Sequence, residues 1–195
     1  MKRKTLAITI LFTAFTLFQC NKEVKGQAFN VGEKHLNFTV GFGSPWVLYN
    51  DYRTVLPPVA VSFDYGFRDD LGPGVIGIGV LAAATTYKNR VIDYGWLNEY
   101  GWKSTTLIAA ARATYHYQLI NALDTYGGFH LGVRFESWRE YGDFPVYERR
   151  NIGASYHPVF NLFAGAKYSF SDDLFIMAEV GLGISIINVG LGLKL

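Results

Sequence analysis

Asp64, Arg112, His130, Arg134, Glu136, Lys167, Glu179 and Lys194 share a placement that bears on chemistry: each alternates with apolar neighbours. The alternation puts them on one face of extended chain, together with His35, His116, Asn37, Asn161 and Asn188. Two kinds of chemistry follow from such a set. Titratable groups in a row could relay protons or line an ion path. Alternatively, acids and bases of nearly equal number could neutralise one another as a salt-bridged plug. Unpaired charges in a crowded interior are costly, so opposite signs should pair and hydrogen-bond. The plug is the reading carried forward.

A second group is richer in rings. Trp96 and Trp102 lie in one polar stretch, and Trp138 and Tyr141 in another that also holds Arg149 and Arg150. Aromatics with arginine dominate binding hot spots, so these six residues form a candidate loop surface for an unknown external ligand. The same rings would also serve as an aromatic collar. Metal chemistry has little to build on, because the His are scattered and the single Cys, Cys20, lies near the N-terminus. Gly77-Ile78-Gly79 sits inside an extended segment and precedes no helix, so it is not a phosphate loop.

The elements that must carry these residues have a period of two, the strand signature. Leu36, Phe38, Val40 and Phe42 alternate with His35, Asn37, Thr39 and Gly41. The same pattern recurs around Val59–Phe67, Ile76–Ala82, Leu107–Tyr117, Phe129–Phe135, Phe160–Phe170, Ile176–Leu182 and Val189–Leu195, with Phe163 breaking it. Eight segments result, each suited to the roughly 9–11 residues of a membrane strand. Long connections are expected at 43–57, 88–102 and 138–156, with a tight one at 184–186. Short turns are expected at 68–73, 119–124 and 171–173. Three segments end in an aromatic, any residue and an aromatic: Tyr65/Phe67, Tyr115/Tyr117 and Tyr168/Phe170. Such rings gather at a membrane–water boundary, which assigns the short turns to the periplasm.

The face opposite the apolar one is made mostly of Gly, Ser, Thr, Ala and Asn, not the Lys and Glu of a wetted surface. This distinguishes a membrane barrel from a soluble one. Half the residues are hydrophobic and only 17% are charged, against about 25% in ordinary soluble domains.

Residues 1–28 read as a cleavable signal peptide. Lys2, Arg3 and Lys4 precede the apolar stretch Leu6–Phe18, too short to span a bilayer, and Gly26-Gln27-Ala28 offers a cleavage site after Ala28. Cys20 leaves lipidation as an alternative, although Leu17-Phe18-Gln19 lacks the small residue that lipidation prefers. The leader holds five of the 18 basic residues and one of the 16 acidic ones. The remaining chain is therefore slightly acidic, and nucleic acid is not an expected partner.

The C-terminal residues Asn188-Val189-Gly190-Leu191-Gly192-Leu193-Lys194-Leu195 are similar to the terminal signal read by the barrel assembly machinery, through Gly190, Leu193 and Leu195. Leu195 stands where Phe or Trp is usual. Over residues 29–195 the pattern resembles the outer-membrane protein X and outer-membrane protein A transmembrane-domain type. That resemblance implies an all-β, eight-stranded, antiparallel up-and-down barrel in the bacterial outer membrane, and it implies no shared activity. The expected partners are outer-membrane lipid and, during insertion, the assembly machinery. The chain is expected to be a monomer with no cofactor or metal. A structural or interaction role is expected, with small-solute or hydrophobic-ligand transport as the alternative. Some such barrels modify lipids, but Ser155-Tyr156-His157-Pro158 does not match their His-x-Ser pattern.

Overall fold

The computed structural model describes residues 29–43, 52–89, 91–93, 98–120, 122–142 and 153–195. The expected leader, Cys20 included, lies outside the described residues. Among these residues nine strands are found: β1 Lys34–Phe42, β2 Tyr52–Arg68, β3 Val75–Asn89, β4 Val91–Asp93, β5 Asn98–Ile120, β6 Leu123–Gly142, β7 Ala154–Ser169, β8 Leu174–Gly181 and β9 Ile187–Lys194. All pairings are antiparallel between neighbours, except that β3 also pairs β5 and β9 returns to β1. The sheet therefore closes into a ring of eight strands, with β4 a short addition paired only to β5. Closure satisfies the backbone without an exposed edge, which hydrocarbon requires of any spanning sheet.

Alternation decides which face looks inward. Along β1, residues His35, Asn37, Thr39 and Gly41 are buried while Phe38, Val40 and Phe42 are exposed. The rule holds around the ring. Phe160 is 62% exposed and Leu131 57%, whereas Asp64 is 0% exposed and Lys167 2%. Burying charge while exposing Phe and Leu is the reverse of a soluble domain. It makes sense only if the outer face meets lipid. The rings Phe67, Tyr115, Tyr117 and Phe170 also point outward at the short-turn end.

Strand lengths differ from the sequence expectation on one side. β5 has 23 residues and β6 has 20, against eight each in β8 and β9. Trp102 lies within β5, and Trp138 and Tyr141 within β6, so these three belong to strands and not to loops. β2 likewise begins at Tyr52 and carries Pro57 and Pro58 through two register shifts between Thr54 and Val59. Proline removes a ladder donor and is tolerated at such bulges. The barrel consequently has a tall wall, β2 to β7, and a low wall, β8, β9 and β1.

Inward glycines give the lumen its shape. Phe175 of β8 faces Gly192 of β9, and Tyr126 of β6 faces Gly165 of β7. A Cβ on Gly192 would run into the Phe175 ring, and one on Gly165 would stand 2.7 Å from Tyr126 Cζ. Each ring lies across the strand that lacks a side chain beneath it.

Candidate functional site

The central feature is a buried cluster drawn from six strands. Asp64 of β2 is placed between two cations: Arg112 Nε of β5 lies 2.8 Å from its Oδ1, and Lys167 Nζ of β7 lies 3.4 Å from its Oδ2. Asn37 Nδ2 of β1 donates to Asp64 Oδ2 at 2.9 Å and stands 3.0 Å from Ser62 Oγ. Arg112 reaches in the other direction to Glu179 Oε1 of β8 at 2.5 Å, where Tyr126 of β6 also donates its hydroxyl at 2.8 Å. His130 Nε2 lies 3.3 Å from Arg112. Two acids and two bases therefore meet with no net charge, and the polar groups around them supply further hydrogen bonds. Asn37 Oδ1, Asp64 Oδ1 and Arg112 Nε make no hydrogen bond, so charge attraction and not hydrogen bonding joins Arg112 to Asp64.

Rings fill the space around the charges. Lys167 Nζ is 5.1 Å from the centroids of both Tyr126 and Phe175, and 5.4 Å from that of Phe29. The guanidinium of Arg112 sits 4.4 Å from the Phe163 centroid, and His130 stacks on the same ring at 4.3 Å. An aromatic face within about 6 Å stabilises a cation.

Phe29 is 1% exposed and lies inside the short-turn end of the barrel, 4.1 Å from the His116 ring and 4.8 Å from His35. The segment carrying it is tied down by Gly32 N donating to Gly66 O at 2.8 Å and Gly66 N to Glu33 O at 2.9 Å. Beside it, His116 Nδ1 pairs with Asp124 Oδ2 at 2.6 Å.

The eight charged and histidine positions singled out in the sequence thus fall into three groups. Asp64, Arg112, His130, Lys167 and Glu179 meet at the centre. Lys194 does not join them; its Nζ donates to Glu33 Oε1 at 2.5 Å near the short-turn end, where Asn30 also donates to that oxygen and His35 lies 3.6 Å from Oε2. Burial pushes the Glu33 carboxyl up, but the nearby His35 and the hydrogen bonds from Lys194 and Asn30 outweigh it and hold the pKa down at about 2. Arg134 and Glu136 pair with each other at 3.2 Å on β6, above the centre. Tyr126, Phe163, Phe175, Asn37 and Phe29 complete the interior. Of these, the rings are legible in the sequence only as apolar residues out of step with their strands.

On the tall wall, Trp102, Trp138 and Tyr141 are each half-buried. Tyr141 donates its hydroxyl to Asn89 O at 2.7 Å, and Lys88 Nζ lies 3.7 Å over its ring. Trp96, Arg149 and Arg150 lie outside the described residues. Gly190 faces Thr39 across the β1–β9 seam, Leu193 points outward from β9, and Leu195 follows the strand with its N–H on Lys34 O. His157 is exposed and Ser155 half-buried on β7. Among the described residues, no group of three or more His, Cys, Asp or Glu is placed to hold a metal.

No family model matches the chain, and no curated protein matches it in sequence. Among solved structures, the chain is similar to the outer membrane protein OprG from Pseudomonas aeruginosa, with a TM-score of 0.50 at 12% identity, covering 89% of this chain and 99% of that one. The chain has the fold of a small transmembrane β-barrel. Its closed sheet and apolar exterior say the same in physical terms. This barrel is also similar to the N-terminal β-barrel domain of Pseudomonas aeruginosa OprF, with a TM-score of 0.41 at 16% identity, covering 87% and 100% of the two chains. A third is Ail of Yersinia pestis, with a TM-score of 0.38 at 12% identity, covering 84% and 95%.

Proposed function

We propose that this outer-membrane barrel is a non-conducting scaffold whose interior is sealed by side chains and whose working surface is the tall wall, directed away from the cell. The observation that carries the reading is the burial of Asp64, Arg112, Lys167 and Glu179, all within 5% exposure, at contact distance from one another across the barrel. An eight-stranded barrel has an interior just wide enough to be filled by side chains. A conducting path would need water around those charges. The rings of Phe29, Tyr126, Phe163 and Phe175 occupy the neighbouring space instead. The role is then structural or one of interaction, with lipid around the belt and the assembly machinery as a transient partner through the C-terminal strand.

Planar-bilayer recording tests the seal. The purified barrel should insert without resolved current steps. Discrete steps in the native protein, altered in size by Arg112→Met, would show an open lumen and overturn the proposal.

A further inference from the structure

The outer face of the tall wall carries three stacked rows that the sealed interior does not use. In the lowest, Val59, Ala84, Leu107 and Phe135 lie side by side on four neighbouring strands. The next places Thr86, Thr105 and Ser137 together, with the first two hydroxyls 3.2 Å apart; Thr86 is buried, so half-buried Thr105 and Ser137 present this row. Two residues further from the membrane, Arg53, Lys88, Lys103 and Arg139 are register partners in succession across β2, β3, β5 and β6. Directly opposed residues share a face. Lys103 keeps step with outward-facing Leu107, and Arg139 with outward-facing Phe135. The cations therefore point away from the barrel, and Arg53, Lys103 and Arg139 are exposed.

Spacing makes the row specific. Adjacent strands are about 4.8 Å apart, so the four charges span roughly 15 Å. Lys88, Lys103 and Arg139 each lie four residues beyond the apolar row, on the order of 13 Å along the strand. The apolar row itself stands eight residues from Phe67 of the short-turn girdle, so with strand tilt the cations lie roughly 30 Å from that girdle, which is headgroup depth. Like charges placed directly opposite destabilise a sheet, and a row of them becomes favourable when anions sit between. Tyr141 braces the row: its ring lies under Lys88 while its hydroxyl bonds β3. Among the described residues the low wall has no counterpart, because β1 stops at Phe42 and β8 at Gly181.

We propose that this ladder binds the phosphorylated headgroup of an outer-leaflet glycolipid of the lipid A type. Acyl chains lie against the apolar row, sugar hydroxyls meet Thr105 and Ser137, and phosphates bridge the cations. The inference rests on the proposed orientation, with the tall wall outward, and is independent of whether the lumen is sealed. Labelling of the Lys103→Cys variant on intact cells by a membrane-impermeant thiol reagent reads that orientation separately. A folded variant that takes up no label would remove the orientation and the proposal with it.

The binding test uses the full-length purified barrel in phosphatidylcholine bicelles, titrated with diphosphoryl lipid A and with the same lipid after dephosphorylation. The native protein should prefer the phosphorylated form by tenfold or more, and R53Q/K103Q/R139Q should lose at least that preference, roughly as expected for charges near an anionic surface. R53K/K103R/R139K should bind within about threefold of native, since charge and not shape carries the contact. Heat-modifiable gel migration checks that every variant is folded, and K103Q/R139Q serves if the triple variant is not. Equal binding of both lipid forms, or native-like binding by the neutralised variants, would overturn the proposal. Displacement by millimolar inorganic phosphate would also overturn it, because the site would then take free phosphate and not a headgroup.

Discussion

Arg112 holds the interior together. It touches Asp64, Glu179 and His130 and lies over the Phe163 ring. Removing it leaves Asp64 with Lys167 and Asn37 but Glu179 with only the Tyr126 hydroxyl, and breaking a buried pair in this way costs about 3–5 kcal/mol. Arg112→Met should therefore lower the urea midpoint of the folded barrel sharply. Adding Glu179→Gln should recover part of the loss, because one orphaned charge is gone; no recovery would mean the cation acts by packing alone. The inward side of this cluster is readable in the sequence, since Asp64, Arg112, Lys167 and Glu179 all fall on the polar beat of their strands. Their partnership is not. It depends on the stagger between strands that lie far apart in the chain, and alternation carries no information about stagger. Lys194 illustrates the limit: it shares the beat, yet the stagger delivers it to Glu33.

At the scale of the strand, the unexpected feature is the ring laid on a glycine. Phe175 and Tyr126 interrupt the rule that inward residues are polar, and each is opposed by an inward glycine, Gly192 or Gly165. That opposition is the signal that could find them, but it appears only once register is known. Gly192→Ala should force Phe175 aside and lower stability by about 1–3 kcal/mol, the usual cost of overpacking. Gly192→Ala combined with Phe175→Leu should restore most of it, measured by the same urea unfolding; a neutral single variant would sink the packing argument. Strand ends are harder to read than strand centres. Beyond the membrane the outward positions of β3, β5 and β6 become Thr, Ser, Lys and Arg, and the hydrophobic beat that marks a strand in lipid fades. Backbone pairing continues there regardless, so Trp102, Trp138 and Tyr141 read as loop residues and lie in strands. Pro57 and Pro58 mislead similarly, because a bulge accommodates them within β2.

For the whole molecule, the decisive joint is the one between β1 and β9, whose partners run from His35↔Lys194 to Phe42↔Ile187. Glu33 fastens it at the short-turn end by accepting from Lys194 and Asn30. Its pKa is about 2 when folded against an ordinary 4.5, so the folded state favours the carboxylate. The stabilising contribution is complete above the ordinary value and disappears as pH falls from about 4.5 through about 2. Native barrel should lose urea resistance across that acid window, and Lys194→Met should flatten the loss; an unchanged slope in the variant would exclude the clasp. The same joint also governs time. Every other pairing in the ring links neighbours in the chain, apart from the small bypass around β4, and closes a far shorter stretch of chain. The β1–β9 ladder instead closes a loop of about 150 residues, which is the slowest step by chain entropy. The ring thus stays an open sheet with two unsatisfied edges until its last eight-residue strand arrives. Until then it is exposed to wrong partners, and its escape from them depends on how quickly the tail finds the head.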